Sequence, residues 1–206
     1  LMALTCSALD LSDVSFSVSF DKGLTAEVAR GGGKPLATKG DVELVKGREG
    51  GQALKLVNGK DSVAYALKDN LNAKEGAISF WLSSVNWEGS SGDALQVLMH
   101  TDGAADSQQL VVQTLWPWGK LFMPLYDKGQ LLGGFPAGRS CAAPLKEMDD
   151  AVAVLRPGVW YHYLITWRDG HEAIYFNGKL ANKAKLTDLR LRNLGTTLFL
   201  GWDRSK

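Results

Sequence analysis

Cysteine is almost absent from this chain of 206 residues, which carries only Cys6 and Cys141. A pair so far apart in sequence does not supply the two close ligand pairs of a zinc site, and no two histidines stand at the short spacing of a zinc helix. Two readings of the pair stay open: one disulfide made in an oxidising compartment, or two unrelated buried thiols. Long apolar runs are missing as well; nothing approaches the roughly 18–20 apolar residues of a transmembrane helix. Charge of one sign is missing too, with 23 Lys and Arg against 22 Asp and Glu, a formal charge of +1, and no basic run longer than two residues. That balance removes the electrostatic case for nucleic acid or an acidic membrane as partner. There is no internal repeat, no low-complexity tract, no long helical pattern and no Gly-x-Ser-x-Gly nucleophile elbow. What remains, 45% hydrophobic and 22% charged, is the composition of an ordinary globular protein that can bury a full core. The length fits one large all-β domain.

The richest segment runs from Trp160 to Leu180. Trp160, Tyr161, Tyr163, Ile165, Thr166, Trp167, Tyr175 and Phe176 crowd into it, and such side chains favour a pleated, half-buried backbone. Asp169-Gly170 and Asn177-Gly178 interrupt it, and Asn-Gly between apolar residues is a strong hairpin signal because both turn residues must reach positive φ. The segment predicts three antiparallel strands, roughly 160–167, 172–177 and 179–185. Upstream, Val14, Phe16, Val18 and Phe20 alternate with Ser15, Ser17 and Ser19, the pattern of a strand with one wet face. Further strands are expected at 53–57, 63–67, 77–82, 95–100, 110–115, 120–126 and 197–200. The triple glycine 31–33 lacks the strand-to-helix setting of a phosphate loop and reads as a flexible turn. Residues 129–157 read as a long, irregular insertion, of the kind that is often functional. Strands at this spacing, separated by turns, argue for a sandwich or barrel.

Four blocks resemble the laminin-G-like domains of the concanavalin A-like lectin/glucanase superfamily: GREGGQALKL at 47–56, EGAISFWL at 75–82, PGVWYHYLITW at 157–167 and IYFNGK at 174–179. The resemblance covers residues 47–202 and implies an all-β jelly roll, a sandwich of two antiparallel sheets, of a kind found in secreted bacterial proteins beside catalytic domains. On that footing residues 1–206 form one domain, with an N-terminal arm at 1–12 and the long loop at 129–157. The sequence departs from the pattern after Leu200-Gly201-Trp202, where a last strand with Ile-Asp-Glu and Arg-Ile-Tyr is usual and the chain stops at Lys206. A missing final strand would leave the 14–20 strand without a neighbour.

Trp81, Trp160 and Trp167 lie in apolar strand patterns and are expected in the core, as is His162 among its aromatic neighbours. Catalysis is not expected. Glucanases of the superfamily carry Glu-x-Asp-x-x-Glu on one strand, and the nearest candidate, Glu147 with Asp149, has Val152 where the second Glu should stand. His100, His162 and Tyr126 lie outside any recognisable lyase motif. A structural calcium has only weak candidates in Asp102 and Asp106, with Asp127 or Asp169 as others, and no other cofactor is expected. The expected function is therefore a non-catalytic, carbohydrate-binding or adhesive module. The alternatives are a divergent polysaccharide-acting hydrolase or lyase on the same concave face, and a ligand-free domain supporting a catalytic neighbour. Trp116-Pro117-Trp118-Gly119 marks a turn with two tryptophans on which sugar rings could stack, and Gln113, Tyr126 and Asp127 lie near enough to add hydrogen bonds. Trp87 is a third aromatic candidate; packing of Trp116 and Trp118 under the 129–157 loop is the competing reading. The apolar start, Leu1 to Ala8 around Cys6, has the character of a signal-peptide tail, so an extracellular, periplasmic or cell-envelope setting is expected, with a Cys6–Cys141 bond to support it. The expected partner is a polysaccharide or glycan, with a catalytic domain beside the module in a longer parent chain.

Overall fold

The structure is a computed structural model that describes residues 10–57, 59–85, 95–102, 108–115, 120–122, 125–127, 130–133, 157–169, 171–185 and 194–201. Strands account for nearly all of the regular structure there: β1 (Phe16–Ser17), β2 (Val28–Ala29), β3 (Ala37–Lys39), β4 (Glu43–Lys46), β5 (Gln52–Lys55), β6 (Ser62–Ala66), β7 (Glu75–Leu82) and β8 (Leu95–Thr101). They continue with β9 (Gln108–Leu115), β10 (Lys120–Phe122), β11 (Leu125–Asp127), β12 (Gln130–Gly133), β13 (Tyr161–Arg168), β14 (His171–Phe176), β15 (Lys179–Lys185) and β16 (Thr197–Gly201). A large sheet runs β12-β11-β9-β8-β16-β6-β3, with β10 also on β9, and a second sheet runs β15-β14-β13-β7. Two short ribbons, β1-β2 and β4-β5, stand apart from both. Every pairing is antiparallel. The all-β expectation holds, and the three strands read in 160–185 lie within a residue or two of β13, β14 and β15.

Alternation along β13 builds the core. Tyr161, Tyr163, Ile165 and Trp167 are buried, and with Ile174 and Phe176 of β14 they pack on Met99, Leu110, Val112 and Leu198 of the large sheet. Each such side chain contributes about 1.5–3 kcal/mol when fully withdrawn from water. Phe176 meets the rings of Tyr161 at 5.4 Å and of Tyr163 at 5.0 Å. Trp167 is buried as expected, and its indole N–H donates to the Asn72 carbonyl at 3.1 Å. The Asn177-Gly178 turn has φ of 46° and 80°, both in the left-handed region that this hairpin needs.

The N-terminal strand is much shorter than its period-two pattern predicts. Only Phe16 and Ser17 pair, with Ala29 and Val28, and the chain then turns at Phe20, whose φ is 70°. Ser19 N–H and Oγ both donate to the Glu27 carboxylate, giving the backbone a local alternative to a ladder. The strand's two paired residues have β2 as their neighbour in a two-stranded ribbon. Phe16 packs edge-on to Tyr65 at 5.1 Å, and the Tyr65 hydroxyl donates to the Leu24 carbonyl at 2.7 Å, so this ribbon lies against β6.

The triple glycine is an anchored turn rather than a loose one. Asn70, buried, accepts from the Gly31 N–H and donates to the Gly32 and Ala66 carbonyls, each at 2.9 Å. A Cβ on residue 31 would lie 2.1 Å from the Lys68 carbonyl oxygen, so the close approach requires glycine there. The insertion at 129–157 is not irregular from its start, because β12 occupies Gln130–Gly133 and pairs with β11; residues 134–156 lie outside the described residues. Strands β3 and β4 were not expected. Both are short, and β3 is exposed along its whole length, so neither carries a burial pattern that a sequence can show.

Candidate functional site

Across the middle of the large sheet, one row of residues crosses five strands. Ala37 pairs with Ala64, Ala64 with Phe199, Phe199 with His100, and His100 with Val111. Directly paired residues share a face of the sheet, and the flanking Met99, Val112 and Leu198 belong to the core. The row therefore lies on the side turned away from the core. Its centre is a pair of rings: His100 and Phe199 stand 4.8 Å apart and are nearly parallel, at 8°. Both are half-buried, whereas Ala64 and Val111 are buried. The small Ala37 and Ala64 side chains leave the β3 side of the row low.

His100 has a defined hydrogen-bonding polarity. Its Nδ1 lies 3.3 Å from the Thr101 carbonyl oxygen, which can only accept, so Nδ1 carries the proton. Burial pulls its pKa below 6.5, against the Thr101 carbonyl and Asp102, which favour the charged form. The neutral ring then offers Nε2 as an acceptor, and Nε2 has no protein partner among the described residues.

Asp102, next along the chain, is fully occupied. It accepts from Thr196 N–H and Oγ1 at 2.7 Å each and from Thr197 N–H at 2.9 Å. Burial alone would raise its pKa, but the hydrogen bonds from Thr197 and Thr196 outweigh burial and hold the carboxyl below its usual value. Both oxygens thus tie the end of β8 to the start of β16. Asp106 lies outside the described residues, as does the acidic segment with Glu147 and Asp149. Asp169 sits in the turn after β13 with φ of 50° and is exposed. No cluster of three or more His, Cys, Asp or Glu suited to a metal is found among the described residues.

Trp116, Trp118 and Trp87, the aromatic candidates read from the sequence, lie outside the described residues, and so do Cys6 and Cys141. The strands on either side of the 116–119 turn pair directly, Leu115 with Lys120 and Gln113 with Phe122. Tyr126 and Asp127 pair with Gln109 and Gln108 at the other end of β9. Gln113 is thus close to the turn, whereas Tyr126 pairs about 13 Å further along β9, four residues at the strand rise. Positions 109 and 113 lie two residues either side of Val111, the partner of His100, so Gln113 and the partner of Tyr126 bracket the ring pair in register.

Two expectations about the core are corrected. Trp81 is 44% exposed, and His162, its partner across β7 and β13, is only half-buried. Since Tyr161 and Tyr163 face the core, position 162 and everything paired with it must face outward. Trp160, just before β13, is half-buried. Outside, the Arg48 guanidinium lies 3.7 Å over the Trp81 ring, and His162 stands 5.0 Å from it with Nε2 2.8 Å from Ser79 Oγ. His100, Phe199, Arg48 and Ser79 were not singled out as binding residues by sequence reasoning. A lone His ending an apolar strand and a Phe inside Thr197–Gly201 give no signal until β16 is seen to lie between β6 and β8.

The fold and a family model agree on the class. The chain belongs to the concanavalin A-like lectin/glucanases superfamily, a laminin-G model of which matches residues 57–206. No curated protein matches the sequence. Among solved structures, the receptor-binding domain of botulinum neurotoxin C/D mosaic serotype is similar with a TM-score of 0.70 at 16% identity, over 95% of this chain and 44% of that one. The structure entitled "Cell entry of botulinum neurotoxin type C is dependent upon interaction with two ganglioside molecules" matches with a TM-score of 0.61 at 15% identity, over 91% of this chain and 42% of that one. Domain 4 of AbnA, a GH43 extracellular arabinanase from Geobacillus stearothermophilus, in complex with arabinotriose, matches with a TM-score of 0.58 at 15% identity, over 93% of this chain and 85% of that one. The chain spans less than half the length of the neurotoxin domains it resembles. At these identities the likeness establishes the fold, a lectin- or glucanase-like antiparallel sandwich shared with binding domains.

Proposed function

We propose that this domain is a non-catalytic module that binds a neutral polysaccharide on the outer face of its large sheet, across Ala37, Ala64, Phe199, His100 and Val111. The observation that carries the reading is the near-parallel His100–Phe199 pair at the centre of that face. Sugar C–H faces stack on aromatic rings, and a neutral imidazole whose Nε2 has no partner among the described residues can accept a hydroxyl proton, the usual mix of apolar platform and few polar groups. The exposed Ala37 at the β3 end of the row has only a small side chain to stand in the way of a pyranose or furanose ring. Gln113 and Tyr126 are the proposed hydrogen-bonding residues, and Trp116 and Trp118 the proposed additional stacking residues. Two relatives support a glycan ligand: one is named with ganglioside molecules and another was solved with arabinotriose. The arabinanase domain is also extracellular and part of an enzyme. In that setting the present module would hold a catalytic neighbour of the same parent chain on its polymer. Among the described residues, the carboxylate that acts on His100, Asp102, is committed to Thr196 and Thr197, which supports a binding rather than a catalytic role.

Affinity electrophoresis through gels containing arabinan or other neutral polysaccharides tests this. The wild-type protein should be retarded by at least one of them, and the His100→Ala/Phe199→Ala double variant should run unretarded with an unchanged melting curve. Should the double variant unfold, His100→Gln alone, which keeps a polar side chain, is expected to weaken retardation. Retardation that neither substitution changes would place the ligand elsewhere.

A further inference from the structure

We propose that the outward face of the second sheet carries a separate subsite for an anionic saccharide, built on Trp81 and Arg48. Trp81 stands on β7 with nearly half its surface in water, an unusual position for so large an apolar side chain in a strand. It is not left alone. The turn Arg48–Gly50, which joins β4 to β5, brings the Arg48 guanidinium to 3.7 Å above the ring. That turn is itself fixed, since the Asp21 carboxylate accepts from the Gln52 N–H at 2.7 Å. On the neighbouring strand His162 lies 5.0 Å from Trp81, its Nε2 joined to Ser79 Oγ at 2.8 Å. One small surface therefore presents a half-exposed indole capped by a guanidinium, with an imidazole and a hydroxyl beside it.

The guanidinium is occupied by a carboxylate from its own chain. Arg48 Nη2 contacts Glu49 Oε1, and Glu49 is 73% exposed, so its head is largely hydrated. Glu49 also adopts φ of 54°, a conformation that residues with a side chain rarely hold. An exposed ion pair of this kind contributes little to stability, so an incoming anion can replace it at little cost. Guanidinium planes suit two-point contact with carboxylate and sulfate. A sugar bearing such a group can engage the guanidinium with its anion while its C–H face packs on the exposed part of the indole. The register row Ser79, Leu164, Tyr175 and Leu180 continues the surface across β7, β13, β14 and β15, with Leu180 48% exposed, which leaves room for the next residue of a polymer.

Affinity electrophoresis in polygalacturonate, dextran sulfate and plain dextran separates the carboxylate and sulfate sources from the neutral control. The wild-type protein should be retarded by one of the anionic polymers and not, through this face, by dextran. Arg48→Gln and Trp81→Ala should each weaken that retardation by about tenfold or more, the scale of losing one charge-assisted contact. Trp81→Phe, which keeps a ring, should retain most of it, and Glu49→Gln should strengthen it by freeing the guanidinium. The His100→Ala/Phe199→Ala variant should be retarded as well as wild type, so failure here and failure of the large-sheet site are distinguishable. No retardation by either anionic polymer, retardation indifferent to Arg48→Gln or Trp81→Ala, or weakening by Glu49→Gln would each overturn the proposal.

Discussion

A Cβ placed on Gly76 would come within 2.6 Å of the Trp167 ring, which lies over it from the paired position on β13. The core accepts an indole there only because the opposite strand has no side chain at that point. Gly76→Ala should push the ring off its contact and lengthen the Trp167 bond to Asn72, costing about 1–3 kcal/mol, as overpacking of a filled core generally does. Chemical denaturation would show this as a lower midpoint with an unchanged slope, and an unchanged midpoint would mean that the ring has space to move. His100 makes a second residue-scale prediction. Its pKa in the folded protein lies below the ordinary 6.5, chiefly because burial penalises the charged ring. Below that ordinary value the unfolded chain binds the proton more readily than the folded one, so stability is complete above pH 6.5 and declines as pH falls through the lowered folded value. His100→Gln should flatten this part of the stability–pH curve, as read by thermal melting between neutral and mildly acidic pH; an identical curve would mean that the ring protonates freely in place.

At the level of single elements, legibility depended on whether one phase of a strand stands out. The Asn177-Gly178 hairpin was visible because its turn chemistry is local: both residues take positive φ, and Asn177 Oδ1 also accepts from the His162 N–H at 2.9 Å. The run Tyr161–Arg168 was visible as a strand, but not which of its sides faces inward. Tyr161, Tyr163, Ile165 and Trp167 form one apolar phase, while His162, Leu164, Thr166 and Arg168 form a mixed one that has the aromatic Trp81 paired to His162. Richness in aromatic neighbours therefore placed Trp81 and His162 in the core, whereas pleat parity puts them outside. The opposite error occurred at Val14–Phe20, where a clean alternation was outweighed by the Ser19–Glu27 bonds and the turn at Phe20.

At the scale of the molecule, the blocks that resemble laminin-G domains are mostly structural, and for that reason they revealed the fold and not the site. Gly76, Trp167, Asn177 and Gly178 set packing and turns. The ring pair proposed to bind ligand depends on β16 entering between β6 and β8, which brings Phe199 to His100 from the far end of the chain. No local pattern encodes that pairing. The same insertion carries Asp102 to Thr196 and Thr197, so one strand both closes the sheet and shapes the face beside it. Main-chain hydrogen–deuterium exchange, measured with and without a neutral polysaccharide that retards the protein, tests the assignment of function to this face most directly. Binding there predicts slower exchange in Leu95–Thr101, Gln108–Leu115 and Thr197–Gly201, little change in Tyr161–Arg168, and a polymer recovered uncut. Protection confined to Tyr161–Arg168 and His171–Phe176, or a polymer shortened by the protein, would contradict it.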